Sequence, residues 1–586
     1  MLKVILHHIR TFYCITGFTF WARLIGYSVL IGFILSVIEC VVGFSFNGFT
    51  GRWVLDVFGW FVLLILSRYV ISFLSRFTFF NNWFFGEDFD YQAAADGFTD
   101  TGKTVNMVEQ YRGNNQFSIY VGTSNDYLYR IGAGPRLGNI HVALNLADSC
   151  TNFMITGGIG SGKTVSAISP ILLQLLDPAN SNNEQTPAGL IFDIKGDFKG
   201  CVYDLASRFG RTDITTIGAA TGQAKMNIIG GLSPDIAAAF LKSGFEQTGG
   251  SSSDSFWIDS STDAMKAGLT ILQKVDMYTL NYLYQLIFDK KIEETVLSAA
   301  AQLASGDLEL TAALDYYTGV YLKNEDRTLQ SIKATIGTLL STFTSPQIVD
   351  TFCNTKAADA NTLFTDIIEK GRILLLDFPL SVNGYGAKTI YVLMKLRFMN
   401  LVQTRPTNPK MNQDRPVYFI CDEYQNCITK SGFVSDSNFW DKSRSAKCIG
   451  LISFQTVSSI VSALNGDRAT TETILANFRQ KIFFANEDPS TIDYIQKIAG
   501  KYEQVRTTTT EGHSKQSDSF FKKTNNTGTS TTTVQSQIVG AEDIRALQQG
   551  AALGILRVNN NSFIDVLSMQ YTPTDANHPA PVIPQL

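Results

Sequence analysis

Charge is scarce in this chain of 586 residues. Asp, Glu, Lys and Arg make up 17% of it and apolar residues 45%, where soluble domains average about a quarter charged. That shortage points to a membrane segment or a large buried interface. Nor is there an excess of positive charge: the net value is −4. Composition alone therefore does not announce a nucleic-acid binder, although a local basic patch fits within a neutral total. Metal-ligand spacing is lacking as well. The eight cysteines are scattered without a Cys-x-x-Cys pair, and the five histidines do not cluster near them. This argues against a zinc site or a disulfide framework and leaves reduced thiols. The length suggests roughly three or four domains.

The apolar residues are not spread evenly. Residues 24–46 carry no charge except Glu39, close to the ~20 residues that a membrane span needs. A second apolar stretch, 54–74, contains Asp56 and Arg68. Lys3, Arg10 and Arg23 precede the first span, and Arg68 and Arg76 end the second. The positive-inside bias then places both chain ends in the cytoplasm with a tiny external loop. Residues 1–85 are thus expected to form a two-helix membrane anchor in contact with lipid. The late start and the second apolar stretch fit a signal peptide poorly.

One stretch organises the rest of the chain: Gly157, Gly158, Ile159, Gly160, Ser161, Gly162, Lys163, Thr164. It fills every fixed position of a Gly-x-x-x-x-Gly-Lys-Thr phosphate loop. Glycines let successive N–H groups point at a phosphate. Lys163 adds a positive charge for the β- and γ-phosphates, and Thr164 a hydroxyl for Mg²⁺. An apolar run at 152–156 reads as a strand, and 165–176 as a helix whose N-terminus favours an anion. A glycine-rich turn that binds nothing is the competing reading, and the strand-loop-helix context weighs against it.

Between 86 and 148 the pattern is short and mixed, with strands predicted at 117–121 and 127–131. A buried strand at 189–193 is followed by Ile194, Lys195, Gly196 and Asp197. Ligands in open α/β sheets sit beside strand carboxyl ends, so this stretch reads equally well as nucleotide-facing or as a plain turn. From 233 to 344 strands give way to helical patterns such as 263–286 and 290–303, an all-helical insert in an α/β domain. Strands resume at 372–377 and 417–421. The second of these ends in Asp422 and Glu423. Behind a complete phosphate loop, such a pair suits a Mg²⁺-holding Asp and a water-polarising Glu. Next come Arg444, a strand at 448–453, and Gln455. Gln455 reads as a γ-phosphate sensor or an ordinary loop amide. Arg444 reads as a finger for a neighbour's nucleotide or a solvated arginine. Residues 506–533 are rich in Thr and Ser without apolar periodicity, a flexible loop or mobile hairpin. The last residues, with three prolines from 575 onward, read as a tail.

The order of these parts resembles the type IV secretion coupling proteins of the TraD/TraG kind. Two N-terminal spans, GGIGSGKT, DIKGD, a helical insert, FICDEYQN and SRSAKCIGLISFQT carry the likeness over most of the chain. The family typically shows Asp-Pro-Lys-Gly-Glu where this chain has Ile194 and Asp197. The resemblance implies a RecA-like P-loop ATPase using ATP and Mg²⁺. It implies a ring, as a hexamer, at the bacterial inner membrane, with the bulk of the chain cytoplasmic. Its partners would be inner-membrane components of the secretion system and a relaxase–DNA complex or effector proteins. By position, Gly157 to Thr164 hold ATP, Thr164 and Asp422 hold Mg²⁺, and Glu423 activates water. Arg444 acts across a subunit interface and Gln455 senses the γ-phosphate. The implied domains are the anchor at 1–85, a first nucleotide-domain part at 86–232, the all-helical domain at 233–344, a second part at 345–572 and a tail at 573–586. An FtsK-like DNA translocase and an ATP-binding membrane scaffold are the alternatives. The first usually carries a C-terminal DNA-reading helix, and no obvious basic recognition helix is seen here; Glu423 counts against the second.

Overall fold

A computed structural model describes residues 117–138, 140–181, 185–247, 255–355, 360–514 and 524–572. The predicted spans at 24–46 and 54–74, the 1–85 anchor and the 573–586 tail lie outside these residues. Among the described residues, no helix is long and apolar enough to cross a membrane.

Seven strands form the parallel heart of one sheet: β3 (Phe153–Thr156), β4 (Ala188–Asp193), β5 (Ile214–Gly218), β6 (Ile373–Asp377), β7 (Val417–Cys421), β8 (Cys448–Phe454) and β9 (Gln480–Phe483). They run in the order β9-β3-β8-β7-β4-β6-β5. Every residue of β3, β4, β7 and β8 is buried, as expected of parallel strands covered on both faces. The two-residue period divides them between two cores. Leu190, Phe192, Phe419 and Cys421 face one; Ile191, Tyr418, Ile420 and Leu451 face the other. Helices α1 (Ser169–Leu176) and α2 (Lys199–Ser207) pack into the second core. The first core takes the long helix α3 (Leu380–Thr404).

Four antiparallel strands extend the sheet beyond β9: β12 (Ala551–Val558), β13 (Asn561–Met569), β1 (Ser118–Ser124) and β2 (His141–Asn145). The strand predicted at 127–131 is instead a short helix, Tyr127–Arg130. Asp126 turns the chain there with φ 57°. Its carboxylate accepts the Leu137 and Gly138 N–H groups at 2.6 and 2.9 Å. The Tyr127 N–H is drawn to buried Asp565 at 2.7 Å, so no ladder partner is left for a strand.

Between β5 and β6 the described chain is helical, from Pro234–Gln247 to Ala360–Glu369. Side-chain caps start several of these helices: Thr279 accepts from the Tyr282 N–H, and Asp307 from the Leu310 N–H. The helix predicted across 263–286 is divided into Ser255–Lys274 and Leu280–Phe288. Asp276 adopts φ 56° and ends the first, and the Thr279 cap begins the second. The Thr/Ser-rich stretch forms a two-stranded ribbon, β10 (Lys501–Ser514) and β11 (Thr524–Gln537), paired from Lys501 with Gln537 to Ser514 with Thr524.

Candidate active site

Because the seven central strands are parallel, their carboxyl ends lie along one edge. The chemistry-bearing residues follow the strand order there. The phosphate loop leaves β3, Gln455 leaves β8, Asp422 and Glu423 leave β7, and Lys195 follows β4. One strand, β8, separates the loop from the acidic pair.

The loop is fixed to its neighbour strand, with the Gly158 N–H donating to the Ala485 carbonyl just past β9 at 2.8 Å. Gly160 and Gly162 take φ of +73° and +93°, left-handed backbone that glycine adopts without a Cβ clash. The Lys163 ammonium curls over the loop and donates to the Gly157 and Gly158 carbonyls at 2.7 and 3.0 Å. Ser161 Oγ is buried without a hydrogen-bond partner, a polar atom whose partner an incoming anion would supply. Thr164 opens a widened π-helical turn, Thr164–Ile168, that leads into α1. Desolvation holds the Lys163 pKa below its ordinary value; Asp422 and Glu423 oppose that shift, and Lys195 adds to it.

Glu423 is the most constrained member. It adopts φ 60° and is buried. Its carboxylate accepts from Lys195 Nζ at 2.7 Å, Gln425 Nε2 at 2.5 Å and Gln455 Nε2 at 3.2 Å. Burial alone would raise its pKa, but these three donors, with the Lys195 charge, bring it below the ordinary value. Lys195 also reaches Asp422 at 3.2 Å. Desolvation would lower the Lys195 pKa, and the two carboxylates outweigh it and raise it. Gln455 is held through its own carbonyl, which accepts from Thr156 Oγ1 at 2.9 Å and Asn486 Nδ2 at 2.8 Å.

The structure thus brings together Lys163, Asp422, Glu423 and Gln455. Arg444 stands elsewhere. It is exposed in the turn Ser443–Ala446 before β8, at the amino end of the sheet. Its charge is felt there by Asp148 and Cys150. Lys195, Gln425 and Asn486 join the site although no sequence assignment named their roles. Only Lys195, at a strand's carboxyl end, gave a signal.

Among the described residues, no cluster of three or more His, Cys, Asp or Glu could hold a metal ion. The donors present suit Mg²⁺ arriving with a nucleotide, since that ion is commonly held by one or two carboxylates plus phosphate oxygens and water.

Residues 416–549, which include Asp422, Glu423 and Gln455, match the family model described as the TraM recognition site of TraD and TraG. No curated protein matches the chain in sequence. Solved structures of the conjugative coupling protein TrwB share its fold. The unbound TrwB lacking 70 N-terminal residues aligns with a TM-score of 0.55 at 14% identity, over 75% of this chain and 89% of that one. TrwB in complex with the ATP analogue ADPNP gives 0.54 at 14%, covering 79% and 97%. TrwB with ADP and Mg²⁺ gives 0.52 at 14%, covering 79% and 96%. At that identity the likeness is one of fold, and it extends over nearly all of the TrwB chain.

Proposed function

We propose that this chain is an ATP-hydrolysing coupling protein of a type IV secretion system. It takes a relaxase–DNA complex or an effector protein and drives it toward the secretion channel. It works as a ring, a hexamer, held at the inner membrane by the apolar segments in residues 1–85. The observation that carries the reading is the order along the sheet edge: phosphate loop, Gln455, then Asp422 and Glu423, tied by the Gln455–Glu423 hydrogen bond. The ADPNP and ADP–Mg²⁺ complexes of the similarly folded TrwB support a nucleotide at this place.

In this reading the loop amides and Lys163 hold the phosphates. Thr164 and Asp422 hold Mg²⁺, which when bound neutralises phosphate charge. Glu423 orients water and takes its proton as the water oxygen bonds to the γ-phosphorus and the bond from that phosphorus to the β,γ-bridging oxygen breaks, leaving ADP and phosphate. The donors around Glu423 keep it ionised, the form a base requires. Gln455, bonded to Glu423, relays whether the γ-phosphate is present. The family match over 416–549 supports docking of a TraM-like partner on that part of the chain.

ATP turnover by the full chain in detergent, with and without single- and double-stranded DNA, tests the proposal. Lys163→Ala is expected to abolish turnover while the protein stays folded, and unchanged activity would sink it. Stimulation by DNA that weakens with salt assigns DNA as cargo, because phosphate contacts release counterions. Turnover indifferent to DNA shifts the reading toward protein cargo.

A further inference from the structure

Beyond the contact that helps hold Glu423 ionised, Lys195 has no assigned part in the proposed hydrolysis, yet the fold takes care to place it. Asp193, buried at the end of β4, accepts the backbone N–H groups of Gly196, Phe198 and Lys199 at 2.7, 3.1 and 2.8 Å. Those bonds fix the turn that carries Lys195. Gly196 sits in it with φ +87°, and a Cβ there would meet Pro379 Cγ at 2.6 Å. The backbone is therefore set, and the lysine side chain, 44% exposed, is the part free to swing. Its ammonium lies 3.2 Å from Asp422 and 2.7 Å from Glu423, whose side chains are only 15% and 8% exposed.

A cation beside largely buried Asp422 occupies the place where the proposed Mg²⁺ would sit, and the same charge reaches Glu423. We infer that Lys195 is a positioning residue that holds the metal's place in the nucleotide-free site, neutralising Asp422 and Glu423 until a divalent cation arrives with the nucleotide and displaces it. This deepens the proposed function and rests on that reading of Asp422. The consequence is an order of events. An exchangeable ion alone must compete with an ammonium already tethered in place, at an effective concentration set by its short stem. A nucleotide brings phosphate ligands and the metal together and tips the exchange. The Lys195 side chain, not the fixed turn that carries it, then reports occupancy, because it is released only when the site fills.

The test uses Mn²⁺ without nucleotide, read by its electron paramagnetic resonance signal on the full chain in detergent. Wild-type protein is expected to bind no Mn²⁺ at about 1 mM. Lys195→Met leaves two adjacent carboxylates uncompensated and is expected to bind one Mn²⁺ per chain at that concentration, typical of a weak carboxylate site. Lys195→Arg, which restores the bridging charge, is expected to block Mn²⁺ again. Binding of ADP to each protein, followed by calorimetry, separates the two levels of failure. If Lys195→Met binds ADP as wild type does yet takes no Mn²⁺, or if wild type takes Mn²⁺ equally well, the place-holding role is overturned. If no protein binds ADP, the nucleotide-site reading itself falls. Lys195→Gln repeats the test with a polar side chain in case the methionine variant does not fold.

Discussion

At the scale of single residues, Gly157 and Glu423 are constrained in opposite ways. Gly157 is constrained by space. A Cβ there would stand 2.6 Å from Phe484 Cβ and 2.7 Å from Ser161 Oγ, closer than real carbon atoms approach. Phe484 lies fully buried just past β9, so the loop must give way. Gly157→Ala is expected to cost about 1–3 kcal/mol of overpacking strain. Taken up by the loop, that strain weakens nucleotide affinity by roughly ten- to a hundred-fold, measurable by titration calorimetry. Affinity within a factor of two of wild type would show that the loop has room to spare. Glu423 is constrained by charge and hydrogen bonds. Glu423→Gln keeps its shape but removes its basicity, so kcat should fall about 10²- to 10⁴-fold. Nucleotide affinity should stay within a few fold. A fall in affinity with kcat preserved would move the base elsewhere.

At the scale of elements, the segment after β7 is held by a charge pair deeper than the site. Lys395 on α3 and Asp436 are both fully buried and ion-paired. Asp436 also accepts from the Tyr424 hydroxyl, from Trp440 Nε1 at 2.9 Å and from the Thr429 N–H at 2.5 Å. Tyr424 directly follows Glu423, so this network sets where β7 delivers its carboxylates. Asp436→Ala leaves the Lys395 charge buried and unpaired, a change that costs about 3–5 kcal/mol. The expected result is a lower melting temperature together with reduced turnover. A variant as stable as wild type would mean that water reaches Lys395. None of this network was legible in the sequence, where Lys395 and Asp436 are two charges 41 positions apart. Strands β3, β4, β6, β7 and β8 were legible, because each is a short apolar run closed by polar residues, and so was the phosphate loop. Strands β5 and β9 were not, and 127–131 carries a strand's pattern where the chain forms a helix. The break at Asp276–Thr279 was hidden, since the apolar residues on both sides keep a helical period across it. The role of Lys195 was hidden for a different reason. It depends on β4 lying beside β7, and the neighbour of a parallel strand is decided by the whole sheet.

At the scale of the whole molecule, the placement of Arg444 decides what it can do. It precedes β8, whose seven residues Cys448–Phe454 lead to Gln455. That strand alone spans about 23 Å, which sets Arg444 at the far end of the sheet from the loop on neighbouring, parallel β3. Within one copy, Arg444 cannot meet a nucleotide held by Lys163. If it acts in hydrolysis, it serves the site of the next copy in a head-to-tail ring. Arg444→Ala should then lower turnover about 10³-fold or more, as removal of an arginine finger does. The lost activity should return in part on mixing with Glu423→Gln. An interface works when its loop comes from the Arg444→Ala copy and its arginine from the Glu423→Gln copy. In randomly mixed rings at equal amounts that is about one interface in four, so up to about a quarter of wild-type turnover returns if sites act independently. Rescue should vanish when Lys163→Ala is added to the Arg444→Ala copy, because the loop side of every mixed interface is then dead. Absence of rescue at every mixing ratio, in rings shown by mass to contain both variants, would return Arg444 to the role of a solvated side chain beside Asp148.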